Sequence, residues 1–332
     1  ENFAVDYYED GYKMLTTLPD SKRYLLVPEG QPVPKGLDED VSILQEPLQN
    51  IYLVASGVMD MFASVDAVDQ IRFSGQKQEN WYIQTAKDAM AAGDMIYAGK
   101  YSKPDYELLV SEGCDLAIEN RMITHSPEVV EMLQGFDIPV MIEYSSYEQH
   151  PLGKVEWVKF FGALTGKEAK AEEAFAEQTE ILEKVESGEK TGKTIAFFYV
   201  TSNGLIQVRQ STDYIPKLIE LAGGRYIFEN LEDSGSGRST LNMQVEDFYA
   251  GAKDADILIY NSSIDGGVTT VDELIGKCNI LKDFKAVQEG QVYCTTNDMY
   301  QQSMAIGYLL QDMHTVLTDD DTAKLRYLFL LQ

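Results

Sequence analysis

From Asn50 onward, short apolar runs ending in small residues alternate with amphipathic segments, and the alternation is interrupted once by a long helical stretch. NIYLVAS (Asn50–Ser56), DQIRFSG, DLAIEN and IPVMIEYSS read as strands, and VMDMFASV, Tyr106–Gly113 and SPEVVEMLQGF read as the helices between them. Ser126 and Pro127 mark a helix start and Gly135 marks its end. Strands this short and this apolar are buried on both faces, so the pattern predicts parallel sheets covered by helices. After Pro151, Trp157, Phe160, Phe161 and Leu164 recur at helical spacing until Thr165-Gly166. A second helical segment follows from about Lys167 to Glu186, about 20 residues or ~30 Å, and SGEKTGK breaks it. Alternation resumes with TIAFFYV (Thr194–Val200), the helices DYIPKLIELAG and VEDFYAGAK, the strands DILIYNS and QVYCTT, and a last helix from about Gln302 through His314. The expectation is an α/β protein of two Rossmann-like lobes with parallel-rich sheets, joined by a single long α-helix. The lobes are residues 1–166 and 189–332, the connector is 167–188, and residues 1–50 form a strand and hairpin extension.

Charge narrows the function. Lys and Arg total 27 against 54 Asp and Glu, a net charge of −27. Nucleic acids and anionic membrane surfaces need basic patches, so neither is expected as a partner. No apolar run reaches the roughly 18 residues that a membrane span requires. A chain beginning at Glu1 fits a mature or trimmed form from which a signal peptide or lipid anchor has been removed. Cys114, Cys278 and Cys294 form no CxxC pair and read as buried free thiols. His125, His150 and His314 lie far apart, with no metal-ligand spacing. Neither GxSxG, nor a phosphate-binding GxxxxGK[ST] loop, nor GxGxxG occurs; Gly235-Ser236-Gly237 follows no strand and reads as a loop. No catalytic residue, metal site or resident cofactor is expected.

Two segments share one design. PDYELLVSEGCDLAIEN (Pro104–Asn120) and MQVEDFYAGAKDADILIYNS (Met243–Ser262) each run from a carboxylate at a helix start, through a small-residue turn and an Asp, into a buried strand. Glu107 and Glu246 in a first turn favour the helix dipole. This doubled pattern resembles the solute-binding proteins of ABC importers for iron–siderophores, haem and cobalamin. The helix pair in His150–Gln178 and the helix with its Gly-Gly turn in Asp213–Phe228 resemble the same family.

The resemblance implies a helical-backbone receptor for metal chelates. It implies that Glu107 in the first lobe, and Glu246 or Asp247 in the second, dock onto arginines of the permease subunits. The expected ligand is a ferric siderophore, with cobalamin or haem as the alternative. A chelatase or nitrogenase-like component is the rival from a different class. The protein is expected to be a monomer outside the cytoplasm, periplasmic or a cell-surface lipoprotein. Loops at the carboxyl ends of the strands should carry the ligand contacts: Trp81, Tyr82, Tyr101, Arg121, Tyr147 and His150, then Tyr199, Arg209, Arg238, Asn261 and Tyr300. Aromatic walls suit large flat ligands, and arginine forks suit anionic chelates.

Overall fold

A computed structural model describes residues 2–231, 239–262, 267–319 and 324–332. The chain divides into two compact units. Unit 1 comprises Glu1–Ser146, Gly153–Ala176 and Gln301–Met304; unit 2 comprises Tyr147–Leu152, Glu177–Tyr300 and Ala305–Gln332.

Unit 1 opens with a four-stranded sheet of β1 (Phe3–Tyr7), β2 (Lys13–Thr17), β3 (Lys22–Val27) and β4 (Val41–Gln45). The first three strands form an antiparallel meander, whereas β4 joins β3 in parallel. The second sheet is built from β5 (Ile51–Leu53), β6 (Ile71–Ser74) and β7 (Ile96–Tyr97), then, beyond the short hairpin of β8 (Gly99–Lys100) and β9 (Lys103–Pro104), from β10 (Leu116–Asn120) and β11 (Val140–Glu143). Its order is β11-β10-β5-β6-β7 and every pairing is parallel. The connecting helices are α1 (Val58–Ser64), α2 (Gln84–Ala92), α3 (Tyr106–Ser111) and α4 (Pro127–Gly135). Ser126 stands at the start of α4, but its hydroxyl makes no cap bond, and the left-handed residue after that helix is Asp137 rather than Gly135.

α5 (Pro151–Thr165) and α6 (Glu168–Glu186) come next. Trp157, Phe160 and Phe161 are buried, and Phe3 of β1 meets the rings of Trp157 and Phe160 edge-on at 5.0 and 5.5 Å. Each such aromatic burial is worth roughly 1.5–3 kcal/mol. Lys13 of β2 donates to the Ala163 carbonyl at 3.0 Å and pairs with Glu168 at 2.8 Å, so the opening sheet is tied to the bend between the two helices. The bend is close-packed: a Cβ on Gly162 would stand 2.5 Å from that of Ala171. α6 starts within a residue of the expected position, and the division between the units falls inside it, after Ala176.

Unit 2 holds a mixed sheet of β12 (Thr194–Val200), β13 (Ile206–Arg209), β14 (Arg225–Tyr226), β15 (Thr240–Met243), β16 (Ile257–Tyr260), β17 (Val292–Thr295) and β18 (Leu328–Leu330). The order is β15-β13-β12-β16-β17-β18. β12, β16 and β17 run parallel, while β13, β15 and β18 add antiparallel edges. One edge of β12 is shared, its first half pairing with β14 and its second with β13. The helices are α7 (Tyr214–Leu221), α8 (Val245–Ala252), α9 (Val271–Lys277), α10 (Lys285–Gln288) and α11 (Ile306–Thr318). Among the described residues no helix is long and apolar enough to cross a membrane.

The doubled sequence pattern has one structural meaning. In unit 1, Asp115 accepts hydrogen bonds from the backbone N–H groups of Gln49 and Asn50 at 2.9 and 2.8 Å, just before β5. In unit 2, Asp256 accepts from the backbone N–H and the hydroxyl of Thr194 at 2.7 and 2.9 Å, at the first residue of β12. Each Asp therefore fastens its own strand to the first strand of the parallel core.

Candidate functional site

In unit 2, four sequence-predicted residues come together. β13 ends at Arg209, which is buried, and its backbone is pinned by Tyr226, whose hydroxyl accepts from the Arg209 N–H at 3.0 Å and donates to its carbonyl at 2.8 Å. The guanidinium pairs with Asp213 at 3.4 Å and donates to the Tyr300 hydroxyl. Asn261, just beyond β16, donates to the same oxygen at 2.6 Å. Asp213 also caps α7, because its other oxygen accepts from the Ile215 N–H at 3.0 Å. Burial opposes the Arg209 charge, but the Asp213 carboxylate and the hydrogen bond to the Tyr300 oxygen more than offset it, so the guanidinium stays charged. Burial also raises the Tyr300 phenol against the pull of Arg209, so Tyr300 is a neutral phenol. With two donors on its oxygen, Tyr300 keeps its proton to give.

Phe198, Tyr199, Gln207, Arg209, Thr240 and Asn261, among others, line a shallow surface depression beside this cluster. Tyr199 is half-buried there, its ring 6.3 Å from that of Tyr260. This arrangement offers hydrogen-bond donors and a ring face, which suits an oxygen-rich, anionic ligand surface. Arg238 and the 235–237 loop lie outside the described residues.

The first-lobe candidates are less concentrated. Trp81 is a correction: it is 1 % exposed and its indole N–H donates to Ser74 Oγ at 3.0 Å, so it is a core side chain of unit 1. Its polar sequence neighbours hid this, because the chain after β6 turns the indole back under the strand. Tyr82, next along, is exposed, with Lys87 Nζ 5.8 Å from its ring centre. Tyr101 is half-buried against the core. Arg121 opens a 3-10 turn after β10, where the Asn120 side chain accepts from the Met122 N–H at 2.8 Å. Tyr147 and His150 belong to unit 2 and are exposed. His150 Nδ1 accepts from the Leu152 N–H at 3.2 Å, at the start of α5.

Glu107 and Glu246 are both exposed, and each is the second residue of its helix, α3 and α8. Asp247 is the third residue of α8. Counted from the helix start, Glu246 holds the place that matches Glu107.

Unit 1 also contains two buried carboxyls that no local sequence pattern announces. Glu119 on β10 has no exposed surface, neither of its oxygens has a hydrogen-bond partner among the described residues, and burial pushes its carboxyl up to about 8. On the neighbouring strand, burial also raises the Glu143 carboxyl, although it accepts from the N–H and hydroxyl of Ser145 at 2.8 and 2.5 Å. No group of three or more His, Cys, Asp or Glu suited to a metal ion occurs among the described residues. Cys278 and Cys294 are buried, Cys114 is half-buried, and among the described residues none of the three is in a disulfide.

Of the unit 2 candidates, Asn261 and Tyr300 follow the carboxyl ends of the parallel strands β16 and β17, whereas Arg209 ends the antiparallel β13. Residues 56–299 match the periplasmic binding protein family, and the chain belongs to that family, whose members are the solute-binding components of ABC importers. It is 24 % identical over 323 residues to an uncharacterized lipoprotein of Methanocaldococcus jannaschii, covering 89 % of this chain and 72 % of that protein. A second uncharacterized protein from the same organism is 29 % identical, covering 76 % of this chain and 77 % of the relative. Among solved structures, a periplasmic binding protein from Veillonella parvula superposes with a TM-score of 0.64 at 15 % identity, covering 95 % of this chain and 97 % of its own. The periplasmic haem-binding protein HutB of Vibrio cholerae gives 0.63 at 14 % identity over 80 % of this chain and 98 % of its own. An ABC-type Fe3+-hydroxamate transport protein from Saccharomonospora viridis gives 0.61 at 16 % identity over 81 % and 93 %.

Proposed function

We propose that this protein works outside the cytoplasm, captures a bulky metal chelate, a ferric siderophore, and delivers it unchanged to an ABC permease. The observation that carries the reading is the Arg209–Tyr300–Asn261 cluster at a shallow depression, in a chain of the periplasmic binding protein family. Arg209 is held charged by Asp213 and lines the depression, Tyr300 has a proton to donate, and Tyr199 supplies an aromatic face. Together they meet the anionic oxygens and flat rings of a chelate better than the hydroxyls of a sugar. Tyr82, Arg121 and Tyr147 are further ligand contacts on loops. The likeness to an Fe3+-hydroxamate transport protein supports the siderophore. Haem is the second reading, supported by the likeness to HutB.

Glu107 and Glu246 are the docking carboxylates, at the same position of their helices. Separated charges on a folded body set register and orientation more than affinity. Lipoprotein relatives support a membrane-anchored form.

The absorption spectrum of protein purified from its host separates the ligands. The expected result is a ferric charge-transfer band that disappears on iron reduction and chelation. A Soret band would replace the siderophore by haem, and a corrin spectrum would replace both.

A further inference from the structure

We propose that the outer face of α3 and α4 in unit 1 is an apolar seat with an acidic rim, which packs against a basic, apolar-centred surface of the permease. This rests on the docking reading of Glu107 and extends it from a charge to a surface.

The inward sides of these helices are settled: Leu109 of α3 and Val129 and Leu133 of α4 are buried in the unit 1 core. The outward sides are apolar as well. Val110 is 48 % exposed, Met132 46 % and Phe136 43 %. They are neighbours rather than scattered residues. Val110 follows Tyr106 by four residues and Glu107 by three, so all three share one side of α3. The Tyr106 ring lies 6.0 Å from that of Phe136, and Met132 precedes Phe136 by one helical turn. A joined apolar surface left open to water marks an interaction site.

Charge selects the occupant. Residues 104–113 and 127–137 contain Asp105, Glu107, Glu112, Glu128, Glu131 and Asp137, and neither Lys nor Arg. Among the described residues, the cation paired to this group is Arg72, 3.1 Å from Glu112. An anionic lipid surface or a nucleic acid would be repelled. A second copy of this chain, meeting the same patch across a twofold axis, would set acidic rim against acidic rim. A basic protein surface is attracted by the rim and covers the apolar centre.

Unit 2 has no such seat around Glu246 among the described residues. On α8, Phe248 is buried and stacked on Phe284 at 5.5 Å, and the Tyr249 ring stands edge-on to Phe284 at 5.7 Å. The apolar side chains near the second docking carboxylate are thus used inside the unit. Unit 1 supplies adhesion and charge, whereas unit 2 supplies charge.

The test places the photo-crosslinker p-benzoylphenylalanine at Val110, at Phe136, at Glu107 and, on α8, at Ala250. Each full-length variant is checked for an unchanged melting temperature, irradiated on host membranes, and its adducts are identified by mass spectrometry. The expected result is a permease-subunit adduct from Val110 and Phe136, at least tenfold more abundant than from Ala250. A permease adduct from Glu107 but not from Val110 or Phe136 would overturn the apolar seat and leave the docking reading intact. Absence of permease adducts from all four positions would overturn both, and an adduct with a second copy of the chain from Val110 or Phe136 would overturn the assigned partner.

Discussion

Units 1 and 2 use the same device at the same place and then diverge. Both fasten the strand after the doubled motif with an Asp, Asp115 in one and Asp256 in the other. In unit 1 the parallel sheet ends in two carboxyls whose hold on a proton burial strengthens, Glu119 and Glu143. In unit 2 a buried charge is accepted and neutralised, Arg209 by Asp213. Exposed large apolar side chains follow the same divide: among the described residues those on α-helices are Val110 and Met132, both in unit 1. A duplicated scaffold has therefore been given two chemistries, an adhesive outer face in one half and a polar, donor-rich cluster in the other.

The largest effect expected from breaking this division is on transport. Glu107→Lys together with Glu246→Lys should abolish uptake of the chelate in cells while leaving its affinity for the purified protein unchanged. A fall in affinity would move those carboxylates from docking to ligand binding.

Next comes the pH dependence of unit 1. The Glu119 carboxyl titrates near 4.5 when unfolded and about 8 when folded, so the folded form holds its proton more tightly. The stability it contributes is fully present below pH 4.5 and falls as pH rises towards 8, by at most about 5 kcal/mol. Glu119→Gln should flatten that fall in denaturant titrations between pH 5 and 8 and raise stability at pH 8. An unchanged slope would mean that Glu119 reaches water or a cation.

Of similar or smaller size is the response of unit 2. Arg209→Ala leaves Asp213 buried without its partner and should cost about 3–5 kcal/mol in equilibrium unfolding. Replacing both by apolar residues of like volume should recover most of it. The smallest effects separate the two fastening residues. Asp256→Ala should cost about 2–3 kcal/mol and Asp115→Ala about 1–2, because Asp256 also pairs with Lys285 at 2.6 Å. Equal costs would show that the lysine, half open to solvent, contributes nothing.

Much of this division was legible in the chain. Alternating strands and helices and the long helix beginning near residue 167 follow from local periodicity, and the doubled motif follows from its repeated order of residues. What local pattern misses is set by distant packing. Glu119 is the last but one residue of DLAIEN, and nothing in that short run shows that the chain packed around β10 excludes water from it. Trp81 sits among polar residues and still folds into the core through Ser74. β13 and β15 pair across residues 206–209 and 240–243, too far apart for a hairpin signal. The Arg209–Tyr300 bond joins residues 91 positions apart, so each could be named as a candidate but not as a pair.

The most direct test of the central claim is a calorimetric titration of the purified protein, and of its Tyr300→Phe variant, with ferric hydroxamate and ferric catecholate siderophores and with haemin. Chelate capture predicts saturable binding of one chelate per chain with no chemical change in it. It also predicts at least a tenfold loss of affinity in Tyr300→Phe, which removes the proton that Tyr300 donates but keeps its ring. A folded protein that binds none of the three, or that converts the chelate on incubation, would contradict it.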